Sequence, residues 1–287
     1  MEYKLKFDDL EIVINSKGAE QEHLYCNGKD YMRDRDEYWG RKAPILFPVV
    51  GKLRDLKTYI NGELFAIPPH GFARDMEFSL FTENEHKMVL YQKYNEQTLQ
   101  MYPYEYELFV SYSIDGKKLK VRYNIVNKGN GNMYFNIGGH PGFRLPMYEN
   151  DKFEDYKIVF EETESWDAPS VASNGTLDFN NTTPFRNIKE LQLDYKYFDI
   201  DAIVIPNIKS KSVKLVNKEG KGIMFNLKNF TTLAIWTKPN APFVCLEPWM
   251  GYADRCDSNY NFLEKDDLVT LRKNESYTFG YDIVILD

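Results

Sequence analysis

The chain reads as all-β, a large antiparallel β-sandwich formed by residues 1–287 as one domain. Three observations predict this. Leu119, Val121, Tyr123 and Ile125 alternate with Lys118, Lys120, Arg122 and Asn124, which is the period of a strand with one buried and one wet face. Turn dipeptides punctuate such runs, because a two-residue hairpin turn needs positive φ. Aromatics make up 15% of the chain, with 21 Tyr and 19 Phe, and aromatic rings favour pleated, half-buried surfaces.

The elements follow in order. Strand patterns occupy residues 10–14, 87–91, 107–114, 118–125, 156–160, 212–216, 223–227, 233–236 and 277–286. Asn61-Gly62 predicts a hairpin between residues 59–60 and 63–65, and Asp115-Gly116 another between 111–114 and 118–121. Helical period is weak throughout and fits best at residues 188–197, where Ile188, Leu191 and Tyr195 recur. Residues 161–190, polar and rich in Asn, Gly and Pro, read as a long surface loop. Similar strand patterns on both sides argue against a domain boundary there. Residues 31–57 mix rings, cations, glycine and proline. Their apolar part, 45–50, predicts a buried segment, and its flanks suit the rim of a pocket.

Composition removes several classes. With 36 basic and 43 acidic residues and a net charge of −7, the chain lacks the basic surface of a nonspecific nucleic-acid binder. No run approaches the ~18 apolar residues of a membrane span, and the first residues carry acids where a signal peptide has an apolar core. A cytoplasmic protein is the expectation. Cys26, Cys245 and Cys256 are odd in number and show no C-x-x-C spacing, so neither a disulfide framework nor a zinc motif follows. Nucleophile-elbow, H-E-x-x-H, Walker and dinucleotide fingerprints are missing.

Three short stretches put acid–base groups beside rigid turns: His70-Gly71-Phe72-Ala73-Arg74, Gly139-His140-Pro141-Gly142-Phe143 and Leu246-Glu247-Pro248-Trp249. His140 and Glu247 each precede a proline, which biases their backbones to extended geometry. A histidine titrates near neutrality. A carboxylate in an apolar run such as 243–246 is costly unless paired or used. The bland alternatives are a satisfied loop histidine at His70 and a structural ion pair at Glu247. His23 and His86 lie in polar surroundings and read as surface groups. A glycosidase built from Glu247 with Asp199, Asp201 or Asp254 remains open at this point. So does a noncatalytic sugar-binding module.

In order and spacing these stretches, with Ala43-Pro44-Ile45-Leu46-Phe47-Pro48 and Gly51, resemble the aldose 1-epimerase (galactose mutarotase) superfamily and its LacX-like branch. The resemblance runs from about residue 20 to 251 and implies a large antiparallel β-sandwich. It implies Glu247 as the base that takes the anomeric hydroxyl proton and His140 as the acid at the ring oxygen, about one sugar ring apart. His70, Arg74, Asp201 and Trp249 would bind the sugar, with Lys52 or Arg54 as the substrate-contacting cation. The His-Gly-Phe-Ala-Arg form is shared with hexose-6-phosphate mutarotases, so Arg74 with Lys52 or Arg54 could take a phosphate, unless Arg74 pairs with Asp75 or Glu77. The expected partner is a small sugar or sugar phosphate, handled by a monomer or homodimer without metal, organic cofactor, nucleic acid or membrane.

Overall fold

The computed structural model describes residues 1–199 and 201–287. It is all-β, as the alternation predicts. A nine-stranded antiparallel sheet runs in the order Leu177–Gln192, Lys157–Val171, Ser212–Val216, Gly222–Lys228, Ser276–Leu286, Lys118–Asn127, Tyr106–Asp115, Lys87–Lys93 and Ser79–Asn84. A second sheet runs Ile203–Ile205, Thr232–Trp236, Phe243–Met250, Ile137–Gly139 and Ile45–Leu46, with Gly142–Arg144 also pairing to Phe243–Met250. A four-stranded sheet formed by residues 2–30 completes the larger layers.

The core lies between the inner faces. Leu108, Val110, Leu119 and Val121 from the nine-stranded sheet join Leu233, Ile235, Val244 and Leu246 from the second. Most of the rings are in it: Tyr102, Tyr106, Tyr112, Tyr123 and Phe47 are fully buried. A buried phenol needs a partner, and Tyr112 donates to the Ala19 carbonyl at 2.7 Å.

Asn61-Gly62 forms its hairpin, with Ile60 paired to Glu63 and both turn residues at positive φ. The Asp115 hairpin forms one residue later. Asp115 pairs with Lys118, so Gly116 and Lys117 are the turn, and only Gly116 has positive φ (57°). Glycine first is the pattern of a type II′ turn.

Two expectations fail. Residues 161–190 are not a loop but most of a long hairpin, Lys157–Val171 with Leu177–Gln192. Its outer strand is the sheet edge and largely exposed, so its polarity reflects solvent, not irregular backbone. Register shifts after Val159, Glu164 and Pro169 break the period of two that a sequence reading needs. The helical period at 188–197 is likewise overridden. Strand continues to Gln192, and only a short 3-10 turn, Tyr195–Phe198, follows, capped by the Asp194 carboxylate. Among the described residues, no helix is long and apolar enough to cross a membrane.

Candidate active site

On Phe243–Met250 successive side chains point to opposite faces. Val244 and Leu246 enter the main core, while Glu247 and Trp249 line a cavity of about 730 Å³ on the other side. The segment after Ile137 meets this strand twice: Gly138 pairs with Trp249, and Gly142 with Cys245. The same register sets His140 opposite Glu247. On its other flank Glu247 pairs with Ala234, whose small side chain leaves the carboxyl uncovered. Gly138 has a steric role: a Cβ there would lie 2.7 Å from the Trp249 ring.

His140 Nε2 lies 3.0 Å from Glu247 Oε2. The expected gap of one sugar ring is therefore absent. Directly opposed residues on paired strands hold their Cβ atoms only about 5 Å apart, too close for a ring between the side chains. Both groups are buried, at 7% and 1% exposure. His140 Nδ1, Glu247 Oε2 and Trp249 Nε1 are buried without a well-formed hydrogen bond. Each such atom costs about 1–3 kcal/mol, and all three belong to residues that line one cavity, as expected of a place shaped for a polar ligand.

His70 enters from a strained loop. Its φ is +63° and that of Gly71 +73°, left-handed values that non-glycine residues rarely adopt. The His70 amide donates to the Gly51 carbonyl at 2.7 Å, and the Gly51 amide donates back to His70 Nδ1 at 3.2 Å. Nδ1 is thus the acceptor, and Nε2 carries the proton. The His70 and His140 rings lie 5.6 Å apart. Trp39 packs over His140 at 4.5 Å and Trp236 edge-on at 5.5 Å. Trp39 is itself held by Arg33, which donates to the Trp39 and Arg41 carbonyls at 2.6 Å each.

Burial sets the electrostatics. It pushes His140 well below its usual value, helped by the charges of His70 and of Arg74 and Arg33. His70 is pushed down to about 3 by burial first and then by Arg74, Arg41 and Lys52. Glu247 is raised well above the usual carboxylate range by burial and by the Asp201 carboxylate. The Trp249 indole N–H opposes that shift without reaching hydrogen-bond geometry. Burial therefore disfavours the charged form of each partner, where unperturbed values imply a carboxylate and an imidazolium.

Lys52, His70, Arg74, His140, Asp201, Glu247 and Trp249 all line the cavity. Arg54 does not. Its guanidinium donates to the Ser258 carbonyl at 2.7 Å and lies over the Tyr260 ring at 4.9 Å. The Arg54 amide also donates to Asp254 Oδ2 at 2.9 Å, so both its backbone and its side chain are held against the 254–260 segment. Asp254 is also committed elsewhere, to buried Lys265 at 2.9 Å. Arg74 braces the His70 loop by donating to the Pro69 carbonyl. It stands 3.9 Å from Asp75, which pairs more closely with Arg41 at 2.8 Å. The sequence reading missed Trp236, Lys238 and the hairpin tip around Val171–Gly175, which also line the cavity. The Asn174-Gly175 turn signal was visible in the sequence, but nothing local says where such a tip docks.

A family description, aldose 1-epimerase, matches residues 1–283. The plasmid-encoded protein LacX of Lactococcus lactis subsp. lactis is 36% identical over 299 residues, with both chains covered in full. Its chromosomal counterpart is 34% identical, again over all of both chains. Among solved structures, a galactose mutarotase related enzyme from Lactobacillus acidophilus superposes with a TM-score of 0.94 at 26% identity, covering 100% of this chain and 98% of that one. The chain belongs to the aldose 1-epimerase family. That membership points to an isomerase of the mutarotase type.

Proposed function

We propose that the protein interconverts the α and β anomers of an aldose by opening and reclosing the sugar ring. The observation that carries this reading is the His140–Glu247 contact of 3.0 Å on the wall of a cavity of about 730 Å³, large enough for a monosaccharide. The sugar lies over the pair, not between its members. Moving the resting proton from Glu247 to His140 yields the carboxylate and imidazolium that the reaction needs, with no change in net charge. Glu247 then takes the proton of the anomeric hydroxyl, His140 gives one to the ring oxygen, and the C1–O5 bond breaks to leave a free aldehyde. Rotation about C1–C2 and the reverse steps close the other anomer. Two positioned proton transfers contribute roughly 10²–10⁴-fold each.

His70 offers an Nε2–H donor to a sugar oxygen. Arg74, Lys52 and Asp201 offer polar contacts, and Trp249 covers an apolar sugar face. A phosphorylated aldose is the second reading. It is favoured by Lys52, which lines the cavity with no ion-pair partner among the described residues. NMR exchange spectroscopy on freshly dissolved sugars, with and without a 6-phosphate, tests both. Accelerated anomer exchange on any of them supports the function, and their ranking assigns the substrate. Binding without exchange across the panel would make the protein a noncatalytic sugar receptor.

A further inference from the structure

The proposed reaction leaves one buried nucleophilic group at the site unused. Cys245 stands two residues before Glu247 on the same strand. Its Sγ, a ring nitrogen of His140 and a carboxylate oxygen of Glu247 all lie within 4.8 Å of one another, and all three residues are buried. Strand pairing puts Gly142 opposite Cys245. A Cβ at Gly142 would come within 3.2 Å of that sulfur, so glycine keeps its flank clear. Thiolate, imidazole and carboxylate are the donors zinc takes, at about 2.3, 2.0 and 2.0 Å, which sets tetrahedral ligand atoms roughly 3.3–3.5 Å from one another. Side-chain adjustments of about 1 Å would bring the trio from within 4.8 Å to that spacing, and beyond the His140 Nε2 contact neither Glu247 Oε2 nor His140 Nδ1 has a hydrogen-bond partner. Burial first and then the Glu247 carboxylate push the Cys245 thiol up, opposed by Arg33, which is itself paired with Asp36 at 2.5 Å; a coordinated metal would supply the positive charge that a thiolate there lacks.

We propose that His140, Cys245 and Glu247 form a binding site for a thiophilic divalent cation of the zinc class, which inhibits the enzyme by turning its acid–base pair into ligands. The inhibitory half rests on the mutarotase reading; the site itself does not. Binding needs no redox step. The Cys245 thiol and the pair release protons to solvent, three lone pairs are donated to the metal, and the fourth position faces the cavity.

The test begins with Co²⁺ titration of chelator-treated protein. A thiolate-to-cobalt charge-transfer band in the near ultraviolet, with intense tetrahedral visible bands that Zn²⁺ abolishes, is the expected result. Cys245→Ser and Cys245→Ala, two variants so that one folding failure does not decide the matter, should lose the charge-transfer band. Without metal they should keep anomer exchange within about twofold, while the inhibitory Zn²⁺ concentration rises on the order of tenfold or more for a lost thiolate ligand. No sulfur band, or equal zinc inhibition in both variants, overturns the site. A sulfur band with unchanged exchange at saturating Zn²⁺, or exchange abolished by chelation and restored by Zn²⁺, overturns the inhibition. A sulfur band on a protein that exchanges no sugar, with or without metal, sinks the mutarotase reading and leaves the site standing.

Discussion

Glu247 and His140 face each other across an antiparallel strand pair, 3.0 Å from carboxylate oxygen to imidazole nitrogen. The Gly138–Trp249 and Gly142–Cys245 pairings on either side hold that contact in place. Because backbone register and not a flexible loop sets the distance, substitutions at either residue can remove chemistry while leaving the cavity standing.

Glu247→Gln keeps shape and removes the proton acceptor. Anomer exchange should fall by at least ~10²-fold, with sugar affinity retained. Exchange rates by NMR, beside sugar binding by calorimetry, measure the two separately. A variant with near-normal exchange would shift the base role to another acid lining the cavity, Asp201 first.

The rate should be flat in pH where an ordinary histidine titrates. His140 is depressed below 6.5, so it gains a second proton only in acid. Glu247 is raised well above 4.5 by burial and by Asp201, so it holds its proton to higher pH than a free carboxylate does. Initial exchange rates from about pH 6 to 8, spanning the usual histidine range, should vary little. A clear inflection near 6.5 would mean that His140 is better solvated than its burial indicates.

His70→Asn separates titration from geometry. Asn tolerates positive φ, and its side-chain oxygen can still accept from the Gly51 amide. His70 is a depressed group, so its contribution to stability is present above 6.5 and lost as pH falls toward about 3. Thermal melts in that window should therefore be less acid-sensitive in the variant than in the parent. Sugar KM should rise through loss of the Nε2–H donor. Identical acid sensitivity would assign the acid lability to other groups.

Lys52→Ala and Arg54→Ala should part company. The first should raise KM, more for a 6-phosphate than for the neutral sugar and less at high salt. The second should leave KM alone and cost up to about 1 kcal/mol of stability, the scale of a half-buried cation's contacts near the surface. An equal KM effect of both variants would point to a rearranged 52–58 turn.

Gly71→Ala should be disruptive. Its Cβ would lie 2.0 Å from the Phe47 carbonyl oxygen, at a φ of +73°. Loss of soluble protein, or a melting temperature lowered by several degrees together with lost exchange, is expected. A variant of native stability and rate would show that the His70 loop can relax.

The fold class was legible because period-two alternation and paired glycine turns are local properties, written wherever a strand has one wet face. Residues 118–127 announce themselves in this way. The hairpin of residues 157–192 did not, since bulges break its period and an exposed edge strand has no hydrophobic stripe to display. His70, His140, Glu247 and Trp249 were legible as candidates because glycine and proline frame them. Arg54 misled because it stands two residues from Lys52, and only its contacts with Ser258 and Tyr260, remote in the chain, decide that it does not face the cavity. The sequence alone also suggested a carboxylate and an imidazolium a sugar ring apart. Tertiary structure decided instead that cross-strand pairing brings them into contact and that burial disfavours the charge on each. It also decided that Cys245, with no metal-binding spacing of its own, stands beside them. Distance and desolvation are properties of packed neighbours from remote parts of the chain, and no stretch of sequence carries them.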